Sequence, residues 1–375
     1  MKKIILTICA LFFVFASPLA AMEWGGVLSN DTGIETPDFS NITFKQSNGV
    51  SIWFNTPIGE AFALSGEVLY KYNFVKPQNV DGTFTNIIDV PLFKFAGDIQ
   101  AGDGVLSLAA GRFSYVDNAG SVVATTVDGA SIDYSLSIVK LGFLGAYTGL
   151  LNSLNGSVEA AGKNNKFYDF SYGYAPLGLN VEFPYLLGNQ ALGIQAFAIL
   201  DCGDKTTKTN NYYANLALSG PITNIIYYSL SSSFGFVDFK DLMNYSALSV
   251  MVFPAETVSI NAGVEYGSAY DDSMVMYYSP LAQKTGGKIL AKAGFTYGTD
   301  VMCFDLGFKY TIGYDSGNKK FDASTTVGSG AELNTGFVYN IFSDLQAGLS
   351  FTAFFDSTQN KANKYTANLN IALAF

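Results

Sequence analysis

Apolar side chains fall at every second position through long stretches of this chain. At its end, Tyr365, Ala367, Leu369, Ile371, Leu373 and Phe375 alternate with Thr366, Asn368, Asn370, Ala372 and Ala374. A period of two is the pattern of a strand with one apolar and one polar face. It recurs where Phe62, Leu64, Gly66, Val68, Tyr70 and Tyr72 oppose Ser65, Glu67, Lys71 and Asn73. Met302, Phe304, Leu306, Phe308, Tyr310, Ile312 and Tyr314 likewise oppose Asp305, Gly307, Lys309, Thr311 and Gly313. The same reading covers 179–185 and 258–266. Around Val139 and Lys140 the phase slips, which predicts a bulge.

Breaks between these runs alternate short and long. The short ones are Pro57 to Gly59, Ala101 to Asp103, Gly188 to Asn189, Pro221 to Ile222, Pro254 to Ala255, the neighbourhood of Thr299, and Ile341 to Ser343. The long ones include Val75 to Thr85, Tyr115 to Gly129, Gly203 to Thr209, Asp271 to Gly286, Ser316 to Thr326 and Asp356 to Asn363, rich in residues of solvated loops. Short turns at one end and long loops at the other predict an all-β, antiparallel, up-and-down transmembrane β-barrel. Counting from a first strand near Glu23 to Leu28 gives about eighteen strands, or sixteen if a hairpin in Thr148 to Pro176 is dropped. Gly149 to Gly156 reads as a short helix on the turn side.

The closing strand, apolar at alternate positions and ending on Phe375, resembles the C-terminal signal that the barrel-assembly machinery reads in bacterial outer membranes. Tyr365 and Phe375 mark that signal. The resemblance is to the outer-membrane β-barrels as a class and implies that machinery as a partner during biogenesis. Alternation alone does not say which face is inside, because a soluble sandwich buries its apolar face. The number and even spacing of the strands, Tyr and Phe at strand ends, and charges mixed with Gly and Ser on the opposite face favour lipid outside and water within.

The chain start agrees. Lys2 and Lys3 precede an apolar run from Ile4 to Phe15 and small residues up to Ala21, the layout of a signal peptide. Residues 1–21 are therefore expected to be a signal peptide and 22–375 the outer-membrane barrel. Composition points the same way: 49% hydrophobic residues, 31 Phe and 23 Tyr against 14% charged is greasy for a soluble secreted chain. The net charge of −10 argues against nucleic acid. Cys202 and Cys303 fall at opposite ends of the expected barrel, so no disulfide is expected.

A barrel of sixteen to eighteen strands encloses an aqueous channel. The expected function is porin-like passive diffusion of small polar solutes across the outer membrane, governed by size and by the field of the wall charges. The expected channel-lining residues are Glu67, Lys71, Lys94, Asp98, Asp133, Glu182, Glu265, Lys288, Lys292, Asp305 and Lys309. General porins fold the loop between strands five and six into the pore. That resemblance makes Tyr115 to Gly129 the expected constriction loop, with Asp117 and Asp128 its candidates, and greasy Val122 to Ala124 fits tucking inside. The alternative is a tall hairpin turning at Asn118 to Gly120.

Porins are often trimers, so the resemblance carries a homotrimer as an expectation, although no strand face announces a subunit contact. The chain has no His, which argues against a barrel hydrolase with a histidine base and against His-ligated metal. No catalytic residue, metal or cofactor is expected. Two other readings stay open: a surface adhesin or antigen using the long loops, and a hydrophobic-substrate transporter of the fatty-acid type.

Overall fold

The computed structural model describes residues 22–37, 39–148, 174–202, 210–237, 241–268, 287–315, 317–324, 328–358 and 363–375. The expected signal peptide and the Gly149 to Gly156 helix lie outside the described residues, as do the expected loops over 203–209 and 271–286.

Nineteen strands follow one another among the described residues. The first seven are β1 (Glu23–Pro37), β2 (Thr43–Ile58), β3 (Phe62–Pro77), β4 (Thr83–Ala101), β5 (Gly104–Val116), β6 (Ala124–Ser135) and β7 (Lys140–Tyr147). Next come β8 (Tyr174–Leu187), β9 (Gln190–Asp201), β10 (Asn211–Pro221), β11 (Ile226–Val237), β12 (Asp241–Ala255) and β13 (Val258–Gly267). The last are β14 (Lys288–Gly298), β15 (Met302–Asp315), β16 (Lys320–Phe321), β17 (Gly330–Asn340), β18 (Leu345–Asp356) and β19 (Lys364–Ala374). The two-residue β16 only lies against β15 within a loop; the other eighteen form the wall. Each wall strand pairs antiparallel with its neighbours, and β1 pairs with β2 on one side and β19 on the other. The wall is thus a closed barrel with no free edge.

Eight connections of two to four residues collect at one end, with the start of β1 and Phe375. Their tightness has a local cause: Gly59, Gly102 and Gly188 sit at φ between +60° and +66°, open to Gly at no steric cost. The seven short breaks expected from the sequence all fall here, within a few residues. An eighth corrects the reading: the phase slip at Val139 and Lys140 is the β6–β7 turn, closed by Leu136 N–H donating to the Val139 carbonyl at 2.8 Å, and no bulge. Irregular pairings occur instead at Glu67/Leu69, Phe183/Leu187 and Val252/Ala255. At the loop end, strands run further than expected, so that 78–82 and 117–123 are shorter than the breaks read from composition. Cys202 lies at that end and Cys303 at the turn end; both are free thiols.

The outer face is apolar. Phe308 is 47% exposed, Leu369 40% and Phe375 57%, and dozens of other large apolar side chains share that face. So much exposed apolar surface suits lipid and not water. The opposite face carries Ser, Asn, Gly and the charges. At the seam, Phe375 and Gly26 exchange backbone bonds of 2.9 and 3.0 Å, and the Phe375 ring covers Gly26, where a Cβ would sit 2.5 Å from its Cζ.

Candidate functional site

The β5–β6 hairpin leaves the wall. Pairing of β5 with β4 stops at Phe93↔Arg112, and pairing of β6 with β7 stops at Asp128↔Tyr147. Between themselves β5 and β6 continue up to Val116↔Ala124. Glycines stand where the two strands part from their neighbours. Gly111 has φ +116°, and a Cβ on Gly129 would run into the Gly145 carbonyl and Ala146 of β7. Above this point the hairpin tip bends into the barrel and reaches β9, β10 and β11.

Apolar packing drives the bend. Phe113, Val122, Val123 and Val127 are buried against Leu144, Tyr174, Phe197, Ile199 and Tyr213 from the inner faces of β7 to β10. Val122 and Val123 are 0% and 1% exposed. Roughly 1.5 kcal/mol or more for each fully buried Val side chain favours this over a hairpin in water.

Polar contacts then lock the tip. Asp117 is the knot: Oδ1 accepts from Ala119 N–H (2.9 Å) and Asn215 Nδ2 (3.0 Å), and Oδ2 from Val122 N–H (2.7 Å) and Val123 N–H (2.6 Å). Burial pushes its carboxyl above the usual range, and the N–H groups of Val123, Val122, Ala119 and Ser121 pull it back. Asn118 N–H donates to Gln195 Oε1 at 3.0 Å, and Gln195 Nε2 donates to the Tyr115 hydroxyl at 2.8 Å. The Ser121 and Ser233 hydroxyls meet at 2.5 Å. The tip turns at Asn118 to Gly120, the place the tall-hairpin alternative assigned, yet it turns inside the barrel.

All eleven expected lining residues lie on the inner face by strand register. They spread around the wall and do not converge on one point. Lys292 Nζ binds Glu265 Oε1 at 2.7 Å, and Tyr245 OH donates to Glu265 Oε2 at 2.9 Å. Lys309 pairs with Glu332, and Ser51 with Glu67. Asp133 lies 3.9 Å from Lys140 and over Gly142, which leaves room for it. Asp305 lies over Gly336 in the same way. Asp117 and Asp128 part company: the first is buried in the hairpin tip, 3% exposed, and the second pairs with Arg112 at 3.3 Å where the hairpin leaves the wall.

Several contributors escaped the sequence reading. Gln195, Asn215 and Ser233 form the seat of the hairpin, and strands three to five removed from it supply them. Glu332 and Lys140, partners of Lys309 and Asp133, sit on the inner-face phase of β17 and β7, and that phase was the available signal. No group of His, Cys, Asp and Glu suited to a metal occurs among the described residues.

No known family model matches this chain, and no curated sequence does. In fold it is similar to solved bacterial proteins. OccK7 (OpdD) of Pseudomonas aeruginosa superposes with a TM-score of 0.61 at 11% identity, covering 96% of this chain and 99% of that one. OccAB4 of Acinetobacter baumannii gives 0.59 at 9% identity, over 95% and 98%. The outer membrane protein OprD from Pseudomonas aeruginosa gives 0.53 at 11% identity, over 94% of each chain.

Proposed function

We propose that this chain is an outer-membrane channel for passive diffusion of small polar solutes. One observation carries the reading: a closed eighteen-strand wall with an apolar outside and a charged inside, narrowed by an inward hairpin. Barrels of this size enclose water, and a solute crossing it meets a gate of fixed width and a fixed field. The likeness in fold to OprD, an outer membrane protein, supports the location. Reconstitution into planar bilayers tests the reading: steady open steps are expected, and a folded, silent barrel would refute it.

The same reading assigns residues 1–21 to export, the last strand with Tyr365 and Phe375 to the barrel-assembly machinery, and the outer face to lipid. It also includes the homotrimer. In support, one band of the outer face is polar: Asn30 Nδ2 donates to Asn48 Oδ1 at 2.7 Å, Thr32 to Asn30 Oδ1 at 3.1 Å, and Tyr70 OH to Asn86 at 2.8 Å. Amides facing lipid are costly, and a neighbouring subunit would relieve that cost. Cross-linking in native membranes is expected to give a three-copy product, and a single-copy product would remove this part. The polar inner faces of β1–β3 and β13–β19 do not suit a hydrophobic substrate. No specific contact favours an adhesin.

A further inference from the structure

Charge is unevenly distributed along the barrel axis. The eight turns and the first residue of β1 carry Glu23, Glu60, Asp103, Glu256, Asp300 and Asp344, and no Lys or Arg. Just above them, the inner face of the turn-end half adds Asp98, Asp133, Asp305, Glu67 and Glu182, five carboxylates against two cations, Lys140 and Lys94, the latter opposite Ser65. Other lysines stand higher, where carboxylates bind several of them: Lys292 holds Glu265 at 2.7 Å, Lys309 holds Glu332, and Lys45 and Lys364 share Glu35 at 2.7 and 3.0 Å. Arg112, the one arginine of the chain, is held against Asp128 at the base of the hairpin.

Around the seat of the hairpin, the amide oxygens of Asn118, Asn180 and Asn215 have no hydrogen-bond partner, and Asn215 is 2% exposed. Asn118 leaves its amide nitrogen unmatched as well. Asn180 lies beside Asp133, since a Cβ on Gly142 would meet Asp133 Oδ1 at 2.6 Å and the Asn180 Cβ at 3.3 Å. Those amide oxygens are closed off from the lumen, so below the constriction the field comes from the wall carboxylates, and it suits an ion or an N–H-bearing solute of positive charge.

We propose that this lumen selects small cations over anions, with Asp98, Asp133 and Asp305 among the carboxylates that set the preference; the proposal rests on the channel reading above. The turn-end mouth concentrates cations, the inner-face carboxylates beneath the hairpin extend that field, and several of the lysines above are neutralised by their partners. An anion entering from the turn end meets the carboxylates of the turns and those of Asp98 and Asp133 before it reaches the level of Lys94.

The reversal potential of the full chain in planar bilayers under a potassium chloride gradient tests this. The expected result is a potential on the potassium side that shrinks between about 0.1 and about 1 M salt, as the screening length falls from about 10 to about 3 Å. Asp98→Asn combined with Asp133→Asn and Asp305→Asn is expected to move it toward zero while steps and heat-modifiable migration persist. Single-variant Asp305→Asn, moving it part of the way, guards against a triple variant that does not fold. Steps with a potential at zero or on the chloride side overturn the selectivity and leave the channel standing. Absence of steps from the folded barrel overturns both.

Discussion

Asp117 shows how one side chain can set the width of a lumen. Its two oxygens accept from Ala119, Val122, Val123 and Asn215, so removing them leaves several N–H groups without a partner in a buried place. Losing such a buried, charge-assisted set costs on the order of 2 kcal/mol or more. Asp117→Ala is therefore expected to loosen the tip and give larger, flickering single-channel currents in planar bilayers, with the barrel still folded. Unchanged currents would mean that the apolar contacts of Val122 and Val123 suffice. The residue was visible in the sequence as an acid in a greasy loop. Its partner Asn215, 98 positions away, was not, because nothing in the strand pattern of β10 marks one inner-face Asn from another.

At the scale of elements, the β5–β6 hairpin and the β1–β19 seam carry the barrel's particular form. The Ser121 and Ser233 oxygens are 2.5 Å apart, a separation a disulfide can span with small adjustment. Ser121→Cys with Ser233→Cys, in a chain whose Cys202 and Cys303 are replaced by Ala, is expected to cross-link on oxidation, seen as altered migration before and after reduction. A hairpin standing above the membrane would give no cross-link. The seam depends on the Phe375 ring over Gly26 and the two backbone bonds beside it. Phe375→Ala keeps those bonds and loses the ring, so slower folding and a smaller heat-modifiable fraction are expected in a time course. Val122 to Ala124 fitted an inward loop in the sequence but left the tall hairpin equally open. The bend at Gly111 and Gly129 was not legible, because glycine in a strand run reads equally as a bulge or as close packing.

For the whole molecule, the decisive property is which face meets lipid. Leu369 and Asn368 are neighbours in β19 on opposite faces. An arginine on the lipid side near mid-membrane costs about 2–4 kcal/mol, whereas one facing water in the lumen costs little. Leu369→Arg is expected to lower the unfolding free energy in lipid vesicles by that amount and Asn368→Arg to change it far less. Equal losses would argue against the inside-out arrangement.

Local chain chemistry was enough for the strand class, the faces and the seven recognised turns, because alternation and turn residues act over a few positions. It misread Val139 and Lys140, where a turn without glycine looks like a slipped strand. Closure of β1 on β19, the inward bend of one hairpin and the choice of Gln195, Asn215 and Ser233 as its seat came only with the folded barrel. Those contacts join residues 77 or more positions apart, and curvature of the closed wall, which no short window of sequence contains, is what brings them within reach.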